Sequence, residues 1–287
     1  MKTLMTKAFC LSVPLFLNLS CGQERAQDSD LDLVGGQPAT DQQIPAVVKI
    51  KSPSCTATKI APKRFLTAGH CVYNNRVGVK ALYPQYRAGS KIQITGANLP
   101  TDGSFTTLTI RKTVLHNTYW SRAHGSTDSP YINANASDIA YFEVQENTPG
   151  IPAMAVWREP IPVGTSVFIS GYGCENGVKW PTYYGKYGRL KWKIVKTLSK
   201  ADLDHPNKSF NFDVNGVYAR SLITNGAKRP GGGASLCPGD SGGPLMIWGH
   251  VVGVNSYYSF DRFDPSQTSY TNWHAKISHP EVRYWLP

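Results

Sequence analysis

Ser241 lies in the run Cys237-Pro238-Gly239-Asp240-Ser241-Gly242-Gly243-Pro244, which is followed by the apolar segment Leu245 to Trp248. A serine hydroxyl is a poor nucleophile near neutral pH. Chemistry at Ser241 therefore needs a base within hydrogen-bond reach and donors for the oxyanion that its attack creates. The glycines fit the second need, because a backbone without Cβ atoms can bend until the amides of Gly239 and Ser241 converge on one point. A glycine-rich turn between strands has the same composition, so the run alone leaves both readings open. A base is offered by His70 in Leu66-Thr67-Ala68-Gly69-His70-Cys71.

Taken together, Thr67-Ala68-Gly69-His70-Cys71 and Gly239-Asp240-Ser241-Gly242-Gly243-Pro244 resemble the trypsin and chymotrypsin family of serine proteases. The family's chain order is His, Asp, Ser. The resemblance therefore implies a carboxylate between the two motifs. Asp138 fits, in Ala136-Ser137-Asp138-Ile139-Ala140-Tyr141-Phe142-Glu143-Val144, which is similar to the family's Asp-Ile-Ala segment entering a strand. Asp128 competes, but Ser126-Thr127-Asp128-Ser129-Pro130 reads as a loop. The stretch between His70 and Asp138 is long for the family, and residues near 118 to 134 are read as a loop insertion. The roles implied are His70 as general base and then acid, Asp138 as its orienting partner, Ser241 as nucleophile, and Gly239 with Ser241 as oxyanion donors. The expected activity is that of a serine endopeptidase.

The resemblance covers residues 33 to 287. Leu33-Val34-Gly35-Gly36 is similar to the family's mature amino terminus, whose free amine inserts beside the aspartate preceding the serine, here Asp240. The family is normally cut after Arg or Lys, whereas Asp32 precedes Leu33 and Arg25 stands eight residues earlier. The resemblance also implies a bridge from Cys55 to Cys71 that staples the histidine loop. No cysteine follows Cys237, which departs from the common vertebrate pattern and leaves Cys174 as its expected partner. For substrate, the residue six before the serine forms the floor of the primary pocket, and here it is Ser235 rather than the aspartate that trypsin-like cleavage wants. Val252 to Tyr258 resembles the strand that pairs with substrate, which makes Ser256 a binding residue and puts Tyr258 on one pocket wall, with Thr268 on the other. Bulky walls over a neutral floor imply elastase-like cleavage after small or modest apolar residues. Chymotrypsin-like cleavage is the alternative if Tyr258 swings aside.

Positioning these groups falls to short elements. Apolar and β-branched segments recur, among them Ala46 to Ile50, Leu108 to Ile110, Ile139 to Val144, Ser166 to Ile169 and His250 to Val254, punctuated by glycine, proline and asparagine. That rhythm predicts many short strands and an all-β protein. With the resemblance, the expectation is two packed antiparallel β-barrels, about residues 33–155 and 156–276, divided by the Pro-rich stretch Thr148 to Pro162. A short helix is expected over residues 279–286, docking Val282, Tyr284 and Trp285.

The chain has 287 residues, 41% hydrophobic and 17% charged, an ordinary globular balance. Lys2 and Lys7 precede an apolar stretch from Ala8 to Leu19, too short to span a bilayer, so residues 1–21 read as an export signal and 22–32 as a propeptide or linker. Leu19-Ser20-Cys21-Gly22 resembles a bacterial lipobox, with Asn18 where leucine is usual. Acylation of Cys21 would make the chain a surface lipoprotein of a Gram-negative bacterium, and plain cleavage would release it. Removing residues 1–32 raises the net charge from +11 to +12, but the basic residues are scattered and nucleic acid is not an expected partner. His116, His124, His205, His250, His274 and His279 form no metal-ligand spacing, and neither metal nor cofactor is expected. The expected partners are protein or peptide substrates and an activating protease, with the chain acting as a monomer and touching membrane only through a lipid on Cys21. The rival reading is a catalytically silent surface binding protein that keeps the fold.

Overall fold

Alternation of apolar and polar residues builds the sheets. In Lys91-Ile92-Gln93-Ile94, only the two isoleucines are buried, and in Ser166-Val167-Phe168-Ile169 the inward residues are Val167 and Ile169. The structure, a computed structural model, describes residues 33, 35–39, 43–74, 80–96, 105–125, 136–173, 189–203, 218–227, 233–260 and 269–287. Its strands are β1 (Gln37–Pro38), β2 (Val47–Ile50), β3 (Cys55–Ala61), β4 (Arg64–Thr67), β5 (Tyr73–Asn74), β6 (Ala81–Leu82), β7 (Lys91–Gly96), β8 (Thr106–Leu115), β9 (Ala140–Val144), β10 (Ala155–Val156), β11 (Ser166–Gly171), β12 (Lys191–Lys196), β13 (Ser221–Asn225), β14 (Pro244–Ile247), β15 (His250–Phe260) and β16 (Ser269–Lys276).

The order β2-β3-β4-β9-β8-β7 closes into a barrel. Phe65 and Phe142 stack inside it with centroids 5.2 Å apart, and Tyr86 meets Phe142 edge-on. The second sheet runs β1-β12-β11-β14-β15-β16-β13, with β10 added parallel to β15. One bridge, Thr197 to Thr224, links the residue after β12 to β13, and among the described residues this sheet is a half-barrel beside the closed barrel, in line with the expected two-barrel architecture. Leu33, Val167, Ile169, Val195, Leu245 and Val252 fill it. The fold is all-β and chymotrypsin-like.

The Pro-rich stretch is more than a connector. Lys59 is buried, and its Nζ donates to the carbonyls of Thr148 and Ile151, both at 2.6 Å, pinning the start of the stretch to the first barrel. Desolvation lowers the pKa of this ammonium, and the two carbonyls compensate part of that cost.

The α-helices among the described residues include α1 (Gly69–Val72), α2 (Asn117–Gly125) and α3 (Pro280–Arg283). α2 corrects part of the expected loop insertion, since it buries Tyr119 completely against the turn that carries Gly69. In α3, Val282 docks as expected and Trp285 packs on His116 and Tyr141, but Tyr284 is 79% exposed and Leu286 is buried instead. A single turn brings residues 282, 285 and 286 to one side and throws 284 outward. No helix among the described residues is long and apolar enough to cross a membrane, and residues 1–32 lie outside them.

Candidate active site

The antiparallel register of β4 and β9 sets Thr67 opposite Ala140. Continuing that register past the strand ends brings α1 alongside Asp138. The His70 amide donates to Asp138 Oδ1 at 2.9 Å, and His70 Nδ1 meets Oδ2 at 2.7 Å. With the Asp138 oxygen as acceptor, Nδ1 carries the proton and the Nε2 lone pair is left available as a base. Asp138 is buried, whereas the His70 side chain is 25% exposed. Burial pushes the imidazole down, but the charge of Asp138 and its hydrogen bond more than offset this and hold His70 above the usual histidine range.

Ser256 Oγ donates to the same Asp138 Oδ2 at 2.6 Å. Sequence reasoning assigned Ser256 only to substrate. Its second contact arises because β15 belongs to the half-barrel and Asp138 to the closed barrel, so the bond crosses between them.

Ser241 stands just before β14. Thr56 N donates to its carbonyl at 2.8 Å, and the sulfur of Cys71, next to His70, packs 3.6 Å from the same oxygen. Gly242 N donates to Asn255 O, Asn255 N to Gly243 O and Gly243 N to Asp240 O, a tight turn around the serine. That turn requires glycine, since φ is +103° at Gly239 and +84° at Gly242, and a Cβ on Gly242 would collide with Thr56 O and Thr67 Oγ1. Thr56 Oγ1 donates to Gly239 O at 2.8 Å and accepts from Tyr172 N at 3.0 Å. Thr56 thus ties the first barrel to the serine loop, a role with no signal in the sequence.

Asp240 is fully buried. Its carboxylate accepts from Gly173 N at 2.7 Å and Cys237 N at 2.9 Å. A Cβ on Gly171 or Gly173 would strike this carboxylate, which explains the Gly171-Tyr172-Gly173 spacing. Leu33 is buried in the half-barrel core together with Leu236.

Ser235 is buried and its Oγ accepts from Ala227 N at 3.1 Å. Tyr258 is partly buried and packs against the half-barrel core. Thr268 lies outside the described residues, and register pairs Tyr258 with Asn272 and Ser259 with Thr271. Asn272 escaped sequence reasoning. Its Oδ1 accepts from Leu236 N at 2.8 Å and its Nδ2 donates to Ala234 O at 2.6 Å, clamping the peptide units on either side of Ser235.

Cys55 and Cys71 form a disulfide. Cys237 is also disulfide-bonded, while Cys174 and Cys21 lie outside the described residues. Cys55, His70 and Cys71 form a compact group of metal-ligand types, but a bridged pair of sulfurs offers no thiolate to a metal.

The family model described as Trypsin matches residues 33–279. Trypsin zeta of Drosophila erecta is 29% identical over 275 residues, covering 86% of this chain and 86% of that protein. Chymotrypsin of Phaedon cochleariae is 26% identical over 266 residues, covering 86% of this chain and 82% of that one. Among solved structures, human heparin binding protein superposes with a TM-score of 0.58 over 88% of this chain and 94% of that chain, at 18% identity, a likeness of fold alone. A match across most of the chain, joined to the fold described above, means that the protein belongs to the trypsin family of serine proteases and is a peptide hydrolase.

Proposed function

We propose that this protein is an exported serine endopeptidase in which Ser241 attacks the peptide carbonyl, His70 takes its proton and returns it to the leaving amine, and Asp138 orients and stabilises the imidazolium. The observation that carries this reading is the 2.7 Å pairing of His70 Nδ1 with a buried Asp138, which leaves Nε2 as the basic nitrogen. The amides of Gly239 and Ser241 receive the oxyanion, each such donor contributing about 3 kcal/mol to the transition state.

The primary pocket is read as elastase- or chymotrypsin-like, because Ser235 supplies a neutral floor and Tyr258 a bulky wall. Cys174 is the proposed partner of Cys237. Release of a free amine at Leu33 is the proposed activation step, with Asp240 as the acceptor of that charge. Export rests on residues 1–21. Acylation of Cys21 would anchor the product, but the relatives named above are animal proteins and lend the bacterial lipoprotein reading no support.

A fluorophosphonate probe on processed protein tests the catalytic assignment. Labelling that disappears in Ser241→Ala is the expected result. Absence of labelling on correctly processed protein favours the silent binding protein instead. Cleavage profiling with a peptide library tests the pocket, and abundant cleavage after Lys or Arg would overturn the neutral-floor reading.

A further inference from the structure

The half-barrel holds a chain of polar side chains that are all fully buried: Asn255, His274, Thr224 and Asn272. A half-barrel core has no general need of such groups, because an apolar set of the same volume avoids their desolvation. Their hydrogen bonds run in one direction. Asn255 Nδ2 donates to Ser170 O at 2.8 Å and to Asp240 O at 3.2 Å, which fixes the orientation of the amide and makes Oδ1 the acceptor. His274 Nδ1 lies 2.8 Å from that Oδ1 and must therefore carry the proton. Nε2 is then an acceptor, and Thr224 Oγ1 donates to it at 2.9 Å. Thr224 Oγ1 in turn accepts from Asn272 Nδ2 at 3.3 Å.

The two ends of the chain touch the two working parts of the site. Asn255 holds the backbone of Asp240, directly before Ser241. Asn272 grips Ala234 O and Leu236 N around Ser235. Resting on the functional reading above, we infer that Asn255, His274, Thr224 and Asn272 form a positioning relay that couples the floor of the primary pocket to the nucleophile loop. The contacts fix the orientation of both amides, the tautomer of His274 and the donor role of Thr224, while Asn272 Nδ2 shares its second hydrogen between Thr224 Oγ1 and Asn225 O, both at 3.3 Å, so a displacement of the Ser235 segment is passed to the next donor in line. His274 is well suited to the centre, because it presents a donor and an acceptor on opposite edges of a rigid ring. Burial lowers its pKa to about 3, so the ring stays neutral and the polarity of the relay holds across the working range of the enzyme.

The test is a double-mutant cycle on the two ends, Asn255→Ala and Asn272→Ala, with rates normalised to sites titrated by the fluorophosphonate probe so that unfolded protein does not count. Asn255→Ala is expected to lower kcat on a preferred peptide about tenfold or more, and Asn272→Ala to act mainly through KM and side-chain preference. In the double variant the loss is expected to fall at least fivefold short of the product of the single losses. Losses that multiply to within twofold would overturn the relay. Should either alanine variant fail to fold, Thr224→Val removes only the central hydroxyl. A KM and kcat both unchanged in Thr224→Val, or a change that Thr224→Ser does not restore, would overturn it equally. Long-range ¹H–¹⁵N spectra of the wild type should show His274 as the neutral Nδ1–H tautomer between pH 5 and 9, a readout that does not depend on activity. A protonated ring or the other tautomer would contradict the relay while leaving the assignment of Ser241 intact.

Discussion

Ser256 Oγ reaches across from the half-barrel to donate to Asp138 Oδ2 at 2.6 Å, the oxygen that also receives His70 Nδ1. Asp138 is thereby held from both sides of the cleft. A hydrogen bond to a charged group contributes about 1.5–3 kcal/mol, so Ser256→Ala is expected to lower kcat/KM roughly tenfold or more. Steady-state kinetics of Ser256→Ala, compared with Ser256→Thr as a hydroxyl-retaining control, checks this.

The pH profile should carry the signature of the same carboxylate. His70 must be neutral to act as a base, and Asp138 holds its pKa above 6.5. The acid limb of kcat/KM is therefore expected to have its midpoint above 6.5, with activity rising as pH passes through it. In Asp138→Asn the raising influence is gone and burial still lowers the ring, so the midpoint of the residual activity should move down. Turnover should fall by about 10⁴, a magnitude borrowed from this family's triad rather than from the geometry here.

Gly173→Ala should separate the support of Asp240 from the triad itself. The added Cβ meets the Asp240 carboxylate, and overpacking of this kind costs about 1–3 kcal/mol. The Gly173 amide that binds Asp240 Oδ1 must move, and with it the serine loop. Thermal unfolding should show a lowered Tm, and active-site titration a reduced fraction of competent sites. An unchanged titre would contradict the close approach.

The bridge between Cys55 and Cys71 closes a loop with a sequence separation of 16. Loop-closure entropy assigns such a bridge about 3 kcal/mol. The variant carrying Cys55→Ala and Cys71→Ala is expected to lose stability of that order in denaturant titration, and to lose activity disproportionately because His70 neighbours Cys71.

The local part of the site was legible in the chain. The glycines around Ser241 and the short strands follow from residue types at short spacing, where steric freedom leaves few alternatives, whereas the roles of His70, Asp138 and Ser241 and the bridge from Cys55 to Cys71 were expected from the resemblance to the trypsin and chymotrypsin family. The Pro-rich stretch and the segment after His116 were less legible. The parallel pairing of β10 with β15 and the anchor from Lys59 join residues far apart in sequence, and the helical turn holding Tyr119 is stabilised by the pocket it fills rather than by its own weak pattern.

The sequence by itself determined that Ser241 lies among glycines and that His70 and Asp138 stand in motifs that resemble those of the trypsin and chymotrypsin family, since each motif is a short run of residues. Tertiary structure alone decided what surrounds them: Ser256 on Asp138, Gly173 on Asp240, Thr56 on Gly239, and His274 between Asn255 and Thr224. These contacts join residues separated by 19 to 183 positions. The protonation they enforce, above the ordinary range at His70 and down to about 3 at His274, follows from burial and neighbouring charge, which a linear sequence does not display.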